Sequence, residues 1–398
     1  KSGLCLSGNL LTLVFLIPRP QMRILFTGDI CFNGIFASHL AGNRPVFSSE
    51  VQHLMAEQDH CVANLEGAAI SDALYQTYAP KISNPEAAIP RLRYLNFTVA
   101  NLANNHTFDA GEKGFRNCVD LLNRNHIKWF GAGNNQDSAS KATFLVANGM
   151  RIALIGGSFR EGPLATPTSA GVFHPKPKRY LLSRLQQVGE EADVVIFCYH
   201  GEEEYTVMPM PTRRKWLQSL AKTGLVQAII CHHPHVVQGW ELIDGVPIYY
   251  SLGNTLFDAP NHYHRSYTDL GLMVELEISP KGIISHRHFI SIDRLQGLVS
   301  LLPIMQLPPH IKNLGDFSQY HSKWQADAFR VFREERFRTA SAPDEGTGGS
   351  KEVPQRFWLS KLLRTSFYQS LFATLRHPNS RSIFLSAIRH WIHKSTGI

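Results

Sequence analysis

Five short segments of this 398-residue chain end in side chains able to hold a metal or move a proton. FTGD stops at Asp29, and VANLEG carries Asn64 and Glu66. ANNHTFD carries Asn104, Asn105, His106 and Asp109, CYHGEEE carries His200 and Glu202, and CHHPH carries His232, His233 and His235. Carboxylate, amide and imidazole groups together form a mixed oxygen–nitrogen donor set suited to Zn²⁺, Mn²⁺ or Fe. Each segment alone has an ordinary explanation. Asp29 after a glycine suits a turn or a helix cap, Glu66 before Gly67 a solvated loop, and His200 a satisfied structural histidine. In HHPH the proline stiffens a turn with imidazoles on both sides. Five such coincidences at five strand ends are the weaker account, so the segments are read as one site.

To bring them together the chain must place several strand ends side by side. Short β-rich runs at 23–27, 61–64, 97–101, 151–156, 194–199, 228–231, 248–251 and 270–278 alternate with helix-like stretches at 48–57, 114–125, 178–189 and 212–223. That rhythm predicts an α/β domain over 22–310, and in α/β sheets ligands gather beyond the carboxyl ends of the strands. A further run at 283–292 predicts an antiparallel partner for 270–278 across Pro280–Lys281–Gly282. Residues 311–338 read as a helical segment, 339–354 (TASAPDEGTGGSKEVP) as a linker, and 355–398 as a basic amphipathic helical tail.

Composition narrows the classes of function. With 43% hydrophobic and 18% charged residues the chain is neither disordered nor fibrous. The net charge is +8, and 351–398 alone holds eight Lys/Arg against one acid. The remainder is near neutral, which argues against nucleic-acid binding. The tail either packs on the domain or docks on a biosynthetic complex, or it meets an anionic membrane surface. Six cysteines at 5, 31, 61, 118, 198 and 231 form no CxxC pair, which fits a reducing compartment. Residues 1–21 are expected to lie outside the fold. Their apolar stretch at 10–17 falls short of the ~20 residues a spanning helix needs. The expected location is cytoplasmic, peripheral to a membrane if the tail engages one, with secretion left open.

The segments GDI, NLEG, ANNHTFDAGEKG, YHGEE and HHPHVVQGWELIDGVPIYYSLGN resemble, in order, successive blocks of the CapA family. These are the capsule and poly-γ-glutamate synthesis proteins of the calcineurin-like metallophosphoesterase superfamily. The resemblance covers about 22–257 and stops short of the segment beyond 310. It implies a four-layer α/β/β/α metallophosphoesterase-like sandwich, here with a C-terminal helical extension. It also implies two divalent metal ions, Mn, Zn or Fe, bridged by one acid. Carried over, Asp29 would bind the first metal and Glu66 the bridging position. Asn105, His200 and His233 would bind the second, and His235 would return to the first. His106 would protonate the leaving oxygen, with Asp109 orienting its ring.

Asn64, Lys81, Glu202 and Asn254 are further candidates for substrate binding. Lys81 either contacts an anionic substrate or is a solvated lysine. Asn254 either binds substrate, orients a histidine or serves the Ser251–Asn254 turn. Two positions depart from the superfamily pattern. Cys31 stands where a histidine is usual, with its thiolate as a substitute ligand the minor alternative, and the bridging acid is Glu66 rather than aspartate. The leading expectation is a metal-dependent phosphoesterase-like protein, a hydrolase, acting in capsule, poly-γ-glutamate or related anionic exopolymer biosynthesis. Its substrate would be an anionic polymer or a phosphoester. The alternatives are a non-catalytic metal- or ligand-binding component of a synthesis or export assembly, and amide hydrolysis on poly-γ-glutamate.

Overall fold

Strands that are apolar on both faces must be covered on both, and that requirement builds the layers. In the computed structural model, residues 22–340 are described, apart from 148, 160–161, 280, 309, 312–313 and 315–318, together with 383, 385 and 386. The expected extension at 1–21, most of the linker at 339–354 and all but those three positions of the tail lie outside the described residues.

One sheet has eight strands in the order Leu298–Leu301, Gly282–Asp293, Leu270–Ser279, Met22–Ile30, His60–Leu65, Phe97–Asn101 and Lys128–Phe130, with Asn254–Leu256 pairing parallel to the end of Met22–Ile30. A second sheet has six: Trp240–Ile243, Val246–Tyr249, Ala228–His232, Val194–His200, Met150–Ser158 and Thr143–Ala147. The strands that lead to the polar cluster run parallel within each sheet. Gly282–Asp293 pairs antiparallel with Leu270–Ser279 as the sequence predicts.

Three apolar cores define four layers. Ile24, Phe26, Val62 and Val99 of the first sheet pack on Ile152, Leu154, Ile196 and Ile230 of the second. The other face of the first sheet is covered by helices Gly34–Ala41, Ser49–Ala56, Ala88–Tyr94 and Gly111–Arg124. Gly111–Arg124 buries Phe115, Cys118 and Leu122, which share one face at helical spacing. Helices Lys178–Gly189 and Pro211–Ala221 cover the second sheet through Leu181, Leu185, Leu217 and Leu220. The arrangement is the expected α/β/β/α sandwich.

Two placements differ from the sequence expectation. The run at 248–251 is strand only from Val246 to Tyr249, because the chain then crosses between sheets and re-enters the first one at Asn254–Leu256. The helix expected at 311–338 is Tyr320–Ala340, and it packs against the domain: Tyr320, Trp324 and Ala328 form a core with Val207, Met208 and Val236. Among the described residues no helix is long and apolar enough to cross a membrane.

Candidate metal centre

Register brings the first set of polar groups into one row. Asp29 pairs with Asn64 on one side and Asn254 on the other, and Asn64 pairs with Asn101. Gly28 makes this possible on the Asn254 side: a Cβ there would lie 2.2 Å from the Gly253 carbonyl oxygen. On the second sheet His200 pairs with His232. The following HHPH turn places both His233 (φ +99°) and His235 (φ +57°) on left-handed backbone, which reverses the direction of their side chains relative to an extended strand.

Two ligand groups result, and they share one residue. Asp29, Glu66 and His235 offer ligand atoms within 4.8 Å of one another, and so do Glu66, His200 and His233. All five residues are buried. Asn105 joins the second group, its Oδ1 lying 2.8 Å from His200 Nε2, which is itself 3.2 Å from His233 Nδ1. Neither carboxylate oxygen of Glu66 accepts a hydrogen bond among the described residues. A fully buried carboxylate without donors is costly, and a cation on each side would satisfy it. The donor set fits a pair of divalent metal ions.

The electrostatics agree with that fit. Burial, reinforced by neighbouring histidines, holds His200 well below the usual imidazole range. Burial likewise brings His233 down to about 4, so both rings are neutral, the form that ligates metal. His235 goes the other way. Burial works against its charge, yet Glu66 and Asp29 raise it to about 10. Burial pushes the Glu66 carboxyl well above its usual range, with Asp29, Glu204 and Asp109 adding to the effect. Both upward shifts express one field: the buried carboxylates draw positive charge into the pocket, as a proton or as a metal ion.

His106 also faces Glu66. Its Nδ1 lies 2.7 Å from Asp109 Oδ2 and its Nε2 3.7 Å from Glu66 Oε1, so the ring faces the bridging acid. Asn104 fixes the segment, donating to the Leu65 carbonyl and accepting from the His106 backbone N–H. Asp109 Oδ2 also accepts from the Ile82 N–H, which pins the strip carrying Lys81 beside His106. Lys81 is exposed at this rim, and despite burial Glu204 is held below the usual carboxylate range by His233, His235 and Lys81.

Three of the four expected substrate-binding residues have other work. Asn64 is fully buried and donates to Asp29 Oδ1 while accepting from Asn101, so it orients a ligand. Asn254 Oδ1 lies 3.0 Å from His235 Nδ1, which leaves Nε2 as the nitrogen facing Glu66. The Glu202 carboxylate is taken up by buried Arg213 and the Tyr199 hydroxyl, each at 3.3 Å. Cys31 is in neither ligand group: its thiol donates to the Ser83 carbonyl, and burial pushes it well above the usual thiol range. Around His235 stand residues that the sequence left unassigned: the His262 ring at 4.6 Å and the Tyr205 ring at 6.2 Å.

These assignments make two predictions. Asn254→Leu removes the acceptor that sets the His235 ring, and should lower metal affinity by roughly 10–100-fold, read by competition with a chromophoric chelator. Cys31→Ala should leave metal content unchanged while costing roughly 1 kcal/mol of stability. Metal analysis and thermal melts test this, and lost metal would restore Cys31 as a ligand.

Residues 23–259 match the family model described as bacterial capsule synthesis protein PGA_cap. The chain belongs to this family. Among PGA_cap relatives, the capsule biosynthesis protein CapA of Bacillus anthracis is 31% identical over 183 residues, covering 44% of each chain. The PGA biosynthesis protein CapA of Bacillus subtilis is 28% identical over 214 residues, covering 52% of this chain and 56% of the relative. The chain thus spans about half the length of the curated relatives it matches. Among solved structures, a calcineurin-like phosphoesterase YfkN from Bacillus subtilis is 12% identical with a TM-score of 0.40, covering 80% of this chain and 99% of that one. A phosphatase from Mycoplasma pneumoniae is 13% identical with a TM-score of 0.43, covering 69% and 96%. The PGA_cap match ends before helix Tyr320–Ala340 begins.

Proposed function

We propose that this PGA_cap chain is a metal-dependent phosphoesterase that acts in the synthesis of capsule, poly-γ-glutamate or a related anionic exopolymer. The observation that carries the proposal is Glu66: one buried, donor-free carboxylate shared by two ligand groups. Divalent metals, Mn, Zn or Fe, held by Asp29, Glu66 and His235 and by Glu66, Asn105, His200 and His233 would lower the pKa of a water and polarise a phosphoryl oxygen. His106 presents Nε2 to the same space and donates a proton to the departing oxygen, while Asp109 holds its Nδ1–H. Lys81 offers positive charge at the rim for an anionic polymer or phosphoester.

The non-catalytic reading is the weaker one. With Cys31 turned away, the first group contributes three protein ligands, the number that leaves a position open for reaction. The proposal extends to a cytoplasmic location and to contact of the basic 355–398 tail with a membrane surface or a biosynthetic complex.

The test is metal analysis of the purified chain followed by assays on phosphomonoesters and phosphodiesters. About two metals per chain with turnover is the expected result. Full loading without turnover on any ester would favour the binding component.

A further inference from the structure

We propose that helix Tyr320–Ala340, which lies beyond the family match, is a positioning element of the metal centre, and that Arg330 and Asp327 are its positioning residues. The inference rests on the metal-centre reading above. The connection runs through hydrogen bonds in three steps. Asp327 Oδ2 accepts from the Val207 N–H at 2.7 Å, and Asp327 Oδ1 receives Arg330 through Nε at 3.0 Å and an Nη at 2.8 Å. The same guanidinium donates to the Tyr205 carbonyl at 2.7 Å. The Tyr205 N–H in turn donates to the Pro234 carbonyl at 2.8 Å, and Pro234 is the residue between His233 and His235.

Backbone strain explains why this clamp matters. Tyr205 (φ +64°), His233 (φ +99°) and His235 (φ +57°) all have left-handed backbone without being glycine. Such conformations persist only where the surroundings over-determine them. The Tyr205 carbonyl is held by the helix and its N–H by the ligand turn. The Tyr205 ring also lies against His235, with the Arg265 guanidinium 4.5 Å from its centre, and Arg265 reaches the Val331 carbonyl of the same helix. A second tie comes from Ser266, whose hydroxyl donates to Glu334 Oε1, an atom that Arg330 also holds. The helix therefore grips both loops that flank His235, and its own anchoring is apolar, through Tyr320, Trp324 and Ala328.

The variant is Arg330→Met in the full chain, which keeps an apolar stem and removes every hydrogen bond of the guanidinium. Two readouts separate positioning from general stability. In chelator-treated protein, hydrogen exchange should quicken in peptides covering 201–208 and 231–238, while helix Gly111–Arg124 keeps wild-type protection. In parallel, affinity for Mn²⁺ or Zn²⁺ should fall by about tenfold, the lower end of what loss of a supporting contact costs. Ser322→Ala, on an exposed position of the same helix, should change neither. If Arg330→Met does not fold, Arg330→Lys serves in its place and should give a smaller shift in the same two readouts. Wild-type exchange at 231–238 in the variant would overturn the inference, as would exchange that quickens equally everywhere. A wild-type chain that takes up no metal would instead sink the metal-centre reading, while the exchange data still decide the clamp.

Discussion

His106→Asn should keep its metal and lose most turnover on alkyl phosphoesters. The imidazole faces Glu66 Oε1 at 3.7 Å, the oxygen that His235 Nε2 also faces at 3.9 Å, and Asp109 holds its other nitrogen at 2.7 Å. A ring so placed can hand a proton to a departing alkoxide. Loss of a general acid typically costs on the order of 10²–10⁴ in rate. Esters with good leaving groups need no proton and should suffer far less. Rates on an alkyl and an aryl phosphoester, with metal content measured alongside, distinguish the roles. Equal losses on both would make His106 a substrate-positioning residue, and lost metal would make it a ligand. Asp109→Asn should follow the same pattern more weakly. It should also loosen the strip that carries Lys81, since one carboxylate oxygen serves both His106 and the Ile82 N–H.

Glu66→Gln should have the larger effect on metal. Glu66 is the member common to both ligand groups, so a neutral amide there weakens two sites at once. The loss should exceed the ~10–100-fold typical of removing a supporting hydrogen bond, and loading should fall to one ion or none. The metal-free protein should respond in the opposite direction. Burial, with Asp29, Glu204 and Asp109, holds the Glu66 carboxyl well above its ordinary value of 4.5. The folded chain then keeps a proton that the unfolded chain has lost, so this group's contribution to stability falls as pH rises above about 4.5. Glutamine has no proton to lose. In chelator, denaturant melts should therefore show Glu66→Gln gaining on wild type as pH is raised from 5 to 8. A difference that does not change with pH would mean that Glu66 titrates alike in the folded and unfolded chains, so that burial does not hold its proton.

The residue types alone made the centre legible. Carboxylate, amide and imidazole at the ends of apolar runs meet because parallel strands deliver their carboxyl ends to one edge, and the coincidence of five such ends outweighed the ordinary explanation of each. The strand Phe97–Asn101 and the helix Lys178–Gly189 were likewise readable to the residue, since apolar periodicity and the flanking turns agree there.

Which polar residue faces the buried ligand groups and which supports them was decided by tertiary structure. Asn64 and Asn254 stand in the same row as Asp29, and register turns their amides onto Asp29 and His235. Glu202 and Glu204 are two residues apart in one acidic run, yet only the fold sends Glu202 to buried Arg213 and leaves Glu204 near the histidines. Cys31 sits two residues after Asp29, but its thiol finds the Ser83 carbonyl, 52 positions away in sequence. The docking of Tyr320–Ala340 on the 201–208 loop had no local signal, because its partners Val207, Met208 and Val236 lie about a hundred residues upstream. A side chain's chemistry is a property of its type and is written in the sequence. Its direction depends on strand register, left-handed turns and distant contacts, and these exist only once the sheets have paired.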